Sequence, residues 1–208
     1  FPGQADGSLT QQIAHRVYLH LKRHANYLVD FHTAMTPDVR WALYADFPGE
    51  VGRAGEGIAR AFGFHSTLAA APDILGGSAM MTEARDGIPA FIVEAGGKGP
   101  AFARETVADG AERLRNVMRH LGLLAGEVRS YGKIANFARF AWVTAPRGGL
   151  FQPVVRCGDR LEKGTILGHY FDVHGTPDGS AESPHPGTVL AIHPGPLMGN
   201  GETLVHIG

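Results

Sequence analysis

The sequence predicts an α/β layer, a sheet flanked by helices, followed by a smaller all-β module. Three observations carry this. Segments with helical spacing alternate with short apolar runs in the first part of the chain, the rhythm of helices packed on a sheet. Two of those runs, Tyr27 to Phe31 and Ala90 to Val93, lead into His32 and Glu94, side chains suited to chemistry. From about Gly126 Pro and Gly become frequent and the apolar runs shorten, which reads as strands between turns.

The elements follow in order. Ser8 with Gln11 three residues on fits a capping box, and Ile13, Val17 and Leu21 then recur at helical spacing, so a helix runs to about His24. Tyr27 to Phe31 is a buried strand. Thr33 to Phe47, with Pro37, Arg40, Trp41 and Tyr44, reads as an irregular or short-strand segment over a cleft. Val51, Ala54, Ile58 and Ala61 place a second helix within Gly49 to Phe62. Ser78 to Arg85 is a short helix stopped by Gly87 and Pro89. Ala90 to Val93 is the second buried strand, and Gly96-Gly97-Lys98-Gly99 is a turn without phosphate-loop spacing. A long helix runs from about Phe102 to Leu123, with Val107, Ala111, Leu114, Val117, Met118 and Leu121 on one face.

Beyond it, Phe140 to Thr144, Thr165 to Val173, Thr188 to His193 and Thr203 to Ile207 read as strands. Gly158-Asp159-Arg160-Leu161 is echoed by Gly201-Glu202-Thr203-Leu204, which suggests a barrel or sandwich of two similar halves. The expected domains are 1–125 and 126–208.

Composition narrows the function classes. A hydrophobic fraction of 44% against 19% charged supports a core, and 208 residues suffice for one large domain or a medium and a small one. The net charge is -1 and no basic stripe occurs, which argues against nucleic acid or an anionic membrane as partner. No apolar run approaches a membrane span and no signal peptide precedes the first helix, and the low cysteine count fits a reducing cytoplasm, the expected compartment. Cys157 is the only cysteine, so the chain has no internal disulfide and no cysteine-based zinc site. Histidine is plentiful at 11.

Asp30 and His32 stand two apart, so in a strand they point to one face. A neutral imidazole there suits a metal, and the carboxylate can orient it. The same stretch also reads as a plain strand end. Glu94 follows four apolar residues, and partial desolvation raises its pKa toward the range of a general base or acid. It reads equally as a carboxylate holding turn amides. Arg85, shortly before that strand, is a candidate for pairing with a substrate carboxylate. Arg40, Trp41 and Tyr44 are candidates because they follow His32 closely. Asp172 and His174 repeat the Asp30–His32 spacing without a second anchor. Ser78 and Ser183 have no activating base in sequence, which disfavours a serine hydrolase.

Phe1-Pro2-Gly3 with Asp6-Gly7-Ser8, then Val29-Asp30-Phe31-His32-Thr33, then Phe91-Ile92-Val93-Glu94-Ala95-Gly96 resemble, in that order, the succinylglutamate desuccinylase/aspartoacylase family. The resemblance covers essentially the whole chain. It implies a zinc carboxypeptidase-like sheet flanked by helices and a C-terminal β domain. It also implies one zinc ion held by two His and one Glu, with His32 as the last ligand, Asp30 behind it, and Glu94 activating the attacking water. The other two ligands belong to a His-x-x-Glu motif upstream of Phe-Pro-Gly, and neither it nor the usual Asn-Arg pair is in this sequence. The expectation is therefore a chain lacking its N-terminal part, consistent with a start at Phe1, with sheet surface left uncovered and doubtful activity alone.

Ala145-Pro146 through Gly208 also resembles a biotinyl/lipoyl-type barrel-sandwich. The likeness rests on Cys157-Gly158-Asp159-Arg160-Leu161-Glu162-Lys163-Gly164 and Ser183-Pro184-His185-Pro186-Gly187-Thr188-Val189. No Lys follows Lys163, which excludes a lysine-attached swinging cofactor there, so the module walls the site entrance or makes a subunit contact, as in a homo-oligomer. The function expected is a zinc-dependent deacylase acting on a small N-acyl amino acid. The rivals are a metallocarboxypeptidase acting on peptides and a non-catalytic binding or scaffold remnant.

Overall fold

The computed structural model describes residues 1–33, 40–96 and 103–208. They fall into two units that divide between Ala138 and Arg139. In the first, Ser8 and Gln11 close a reciprocal capping box on α1 (Leu9–His24). β1 (Leu28–His32), β2 (Arg40–Ala45), α2 (Glu50–Phe62), β3 (Ser66–Ala70), α3 (Ala79–Arg85), β4 (Ala90–Ala95), α4 (Arg104–His120) and β5 (Ala135–Phe137) follow. The strands form one sheet in the order β1-β4-β2-β3-β5. β1 runs parallel to β4, β2 antiparallel to β4, and β3 and β5 parallel to β2.

Alternation sorts the strands' side chains. Val29, Ala42, Tyr44, Phe91 and Val93 pack with Ile58, Ala59 and Phe62 of α2 and Val117 of α4 in one apolar cluster. Phe62 is its hub, with edge contacts to the rings of Phe31, Phe64 and Phe91. Arg113 ties α4 to the end of α2, donating to the carbonyls of Phe62 and Gly63 at 3.2 and 2.6 Å. At Gly52 a Cβ would run into the Phe47 carbonyl, so only glycine lets α2 start that close to the preceding turn.

Several expectations change. Arg40–Ala45 is a strand inside the sheet rather than an irregular or short-strand segment over a cleft, with Trp41 through Ala45 all buried. A strand covered on both sides shows no alternation, which hid it. β3 was not expected at all, because Ser66-Thr67-Leu68-Ala69-Ala70 lacks a bulky β-branched run. α1 forms as expected but buries no residue, leaving Leu9, Ile13 and Val17 exposed. It is held instead by Tyr18 donating to Asp86 at 2.7 Å and by Lys22 at 3.0 Å from the same carboxylate. α4 ends at His120, short of Leu123, and Gly122 follows at φ +71°. The expected turn at residues 97–99 lies outside the described residues. The first unit runs on past the boundary expected at 125, because β5 joins its sheet.

The second unit contains β6 (Ala141–Thr144), β7 (Gly149–Pro153), β8 (Arg160–Leu161), β9 (Ile166–Phe171), β10 (Pro177–Glu182), β11 (Gly187–Ile192), β12 (Leu197–Met198) and β13 (Thr203–Ile207). They make two four-stranded antiparallel sheets, β10-β9-β7-β12 and β6-β13-β11-β8. Phe151, Leu167 and Tyr170 from the first meet Leu161, Val189, Leu204 and Ile207 from the second in one cluster. The sequence echo is one turn built twice. Asp159 accepts the Arg156 N–H and Glu202 accepts the Gly199 N–H, each at 2.7 Å and each three residues back. Gly158 and Gly201 before them have φ of +95° and +81°. A strand starts directly after each acid, and Leu161 and Leu204 then enter the core.

Candidate functional site

β1 and β4 lie side by side in parallel, with His32 opposite Glu94 and Asp30 opposite Ile92. Partners in register share a face, so Asp30, His32 and Glu94 project from the same side at the carboxyl end of both strands. β2 completes the row by placing Trp41 opposite Glu94 from the other side. β4 buries its apolar start, whereas β1, expected as a buried strand, is the edge strand of the sheet, half-buried at its start and exposed at Phe31 and His32; both deliver their polar groups at the carboxyl end.

The three polar side chains meet. His32 Nε2 lies 3.3 Å from Asp30 Oδ2, and His32 Nδ1 lies 3.8 Å from Glu94 Oε1. Asp30 thus accepts a hydrogen bond from the Nε2–H and turns Nδ1 to the Glu94 side. The hydrogen bond to Asp30 is the main cause that raises the His32 pKa above 6.5, with the charges of Asp30 and Glu94 adding to it. Glu94 is the most buried of the three at 18% exposure. That burial pushes its carboxyl above 4.5, while the nearby imidazole draws it partly back. Its Oε2 is buried and has no hydrogen-bond partner among the described residues. Two carboxylates on either side of one imidazole favour positive charge there, whether a proton or a metal cation supplies it.

As a metal site the cluster is partial. His32 Nδ1 is an oriented donor with a carboxylate behind its ring, the arrangement of a zinc-ligating histidine. Among the described residues, however, no group of three His, Cys, Asp or Glu side chains is placed to hold an ion. These residues fit zinc at one position and do not complete a set of three.

The other candidates lie elsewhere. Arg85 donates to the carbonyls of Gly76 and Pro72, both at 2.7 Å. Those residues follow β3, which runs opposite to β4, so Arg85 sits toward the amino end of β4 and away from Glu94. Arg40 pairs with Asp109 at 3.5 Å, and the Tyr44 hydroxyl accepts from Asn136 at 3.2 Å. Ser78 caps α3, and Ser183 donates to the His185 carbonyl at 2.6 Å, so both hydroxyls serve the fold. Trp41 belongs beside the site for a reason different from its closeness to His32 in sequence. Its strand register places it there, and that register is invisible until β2 is known to be a strand.

No protein-family model matches the sequence, and neither does any curated protein. Solved structures do match over the whole chain. The apo form of the ectoine utilization protein EutE (DoeB) from Ruegeria pomeroyi is 25% identical with a TM-score of 0.82, matching 100% of this chain and 68% of that one. A succinylglutamate desuccinylase from Silicibacter sp. TM1040 is 23% identical with a TM-score of 0.84, matching 100% of this chain and 65% of that one. A succinylglutamate desuccinylase/aspartoacylase from Rhodobacter sphaeroides is 23% identical with a TM-score of 0.82, again matching 100% and 65%. The chain therefore spans about two thirds of the length of the structures it matches.

Proposed function

We propose, from the fold this chain shares along its whole length with members of the succinylglutamate desuccinylase/aspartoacylase family, that it serves the hydrolysis of the amide bond of a small N-acyl amino acid. The observation that carries the reading is the shared register of His32 and Glu94 at the carboxyl ends of adjacent parallel strands, with Asp30 behind the imidazole.

Glu94 is the acid–base group in this reading. Its partly desolvated carboxylate takes a proton from the water that attacks the acyl carbonyl, then returns it to the departing amine as the C–N bond breaks. Asp30 fixes the His32 ring so that Nδ1 is presented as a donor. His32 is proposed as one ligand of a zinc ion, whose contribution when bound is Lewis-acid polarisation of the amide carbonyl. Its remaining ligands are assigned to residues outside this cluster. The β unit, with its repeated turn and no lysine after Lys163, is read as a barrel-sandwich scaffold without a tethered cofactor.

One observation favours a second reading, a binding protein without catalysis. No three-donor group exists among the described residues. A panel of N-acetyl, N-succinyl and longer N-acyl amino acids, run beside dipeptides with zinc supplied, separates the readings. Release of free amino acid from an acyl substrate supports the deacylase. Turnover of dipeptides alone would point to a carboxypeptidase. Binding of acyl amino acids without turnover would sink both hydrolytic readings.

A further inference from the structure

We propose that His20 and His24 form a two-histidine clamp for a divalent transition-metal ion on α1, separate from the Asp30–His32–Glu94 cluster. They stand four residues apart in the helix, so both side chains leave the same face one turn apart. Their ring centroids are 4.7 Å apart and the ring planes are tilted by 49°. Both residues are exposed. Among the described residues neither ring has a hydrogen-bond or ion-pair partner. Imidazole nitrogens bind zinc at about 2.0–2.1 Å, so one shared ion needs the two nitrogens about 3.3 Å apart. Rotation of two exposed rings already this close brings them there.

Helix polarity helps. α1 ends at His24, and the carbonyl end of a helix attracts cations. The charges facing the clamp are Arg16 one turn before His20, and Lys22 and Arg23 in the last turn. Lys22 is engaged by Asp86 at 3.0 Å and by the Tyr18 hydroxyl at 2.9 Å, so Arg16 and Arg23 are the cations that oppose binding. Two imidazoles leave the remaining positions of the ion to water. Such a site takes Cu²⁺ ahead of Ni²⁺ and Zn²⁺, and binds only as its ligands lose their protons. His32 lies at the far end of β1 from α1, about 13 Å along the strand from Leu28, so the two sites do not share an ion.

Binding should also change the helix. α1 buries no residue and its last turn is held by surface contacts such as Lys22 with Asp86, so a metal bridge between positions 20 and 24 adds protection to it. The test titrates Cu²⁺ into the full chain and into its His32→Ala variant, with calorimetry and with Zn²⁺-dependent hydrogen exchange of amides 20–24. The clamp predicts one ion bound in the His32→Ala chain, weakened about tenfold or more by either His20→Gln or His24→Gln. It also predicts exchange slowed by zinc only when both histidines are present. The same difference between wild type and His24→Gln, read as one ion fewer, carries the test should His32→Ala fail to fold. No binding, binding unchanged in the double variant, or binding weakened by replacing one of the two histidines but unchanged on replacing the other overturns the proposal.

Discussion

Asp30 with His32 and Asp172 with His174 are the same residue types at the same spacing, one pair ending β1 and the other following β9. Their chemistry differs. Asp30 binds the imidazole of His32, and Glu94 of the neighbouring strand stands on the other side of that ring. Asp172 turns to the backbone instead, accepting the N–H groups of His174 at 2.8 Å and Thr176 at 2.9 Å as the chain reverses between β9 and β10. Those donors, Thr176 foremost, hold its carboxyl below the usual range. Spacing makes a candidate site only where a second strand brings a third group. Where the chain turns back on itself, the same spacing makes a turn.

Exchanging the two histidines for alanine exposes this contrast most strongly. His32→Ala is expected to reduce acyl amino acid hydrolysis to the uncatalysed background, whereas His174→Ala leaves kcat/KM within about twofold, as a surface change does. Equal losses in the two variants would break the comparison. Asp30→Asn comes next, with an expected loss of about 10–100-fold, the usual effect of removing the carboxylate behind a ligating histidine. Histidine NMR should show the His32 pKa falling in that variant, because the Asp30 hydrogen bond is the main cause of its rise.

Glu83 sharpens the point from another side, being a fully buried carboxylate in the same unit with no imidazole assigned to it. Both its oxygens lack a hydrogen-bond partner among the described residues, and burial raises its carboxyl above 4.5. The folded chain then keeps a proton that the unfolded chain gives up. Its stabilising effect is complete below about 4.5 and is lost as pH rises through the raised folded value. Glu83→Met should add about 1–3 kcal/mol at pH 7 and flatten the fall of stability with pH, leaving hydrolysis unchanged. A stability–pH curve identical to wild type would show that burial is not what perturbs this group.

Much of this is legible in the amino-acid sequence. β1 and β4 are short apolar runs ending in a charge, a pattern that marks His32 and Glu94 as candidates beside a plain structural reading, and the family resemblance then favours them. The echo of Gly158-Asp159 in Gly201-Glu202 is visible as a repeat in the β unit, and the structure shows that what repeats is a turn. What failed to show were properties set by neighbours. Trp41 faces Glu94 because β2 is inserted beside β4, and a strand buried on both sides carries no period to read. Arg85 is close to β4 in sequence but sits toward its amino end, while the site is at the other end. Strands such as β7, bounded by Gly149 and Pro153, and β10, started by Pro177 and interrupted by Gly179, were lost among turn signals.

The central claim is that Glu94 moves the proton in hydrolysis. The most direct measurement compares release of amino acid from an N-acyl amino acid by wild type and by Glu94→Gln, both supplied with zinc. Turnover by wild type is expected, with a fall of about 10²–10⁴-fold in kcat for the variant and substrate still bound. Equal rates in the two proteins, or no turnover by the zinc-supplied wild type, would contradict it.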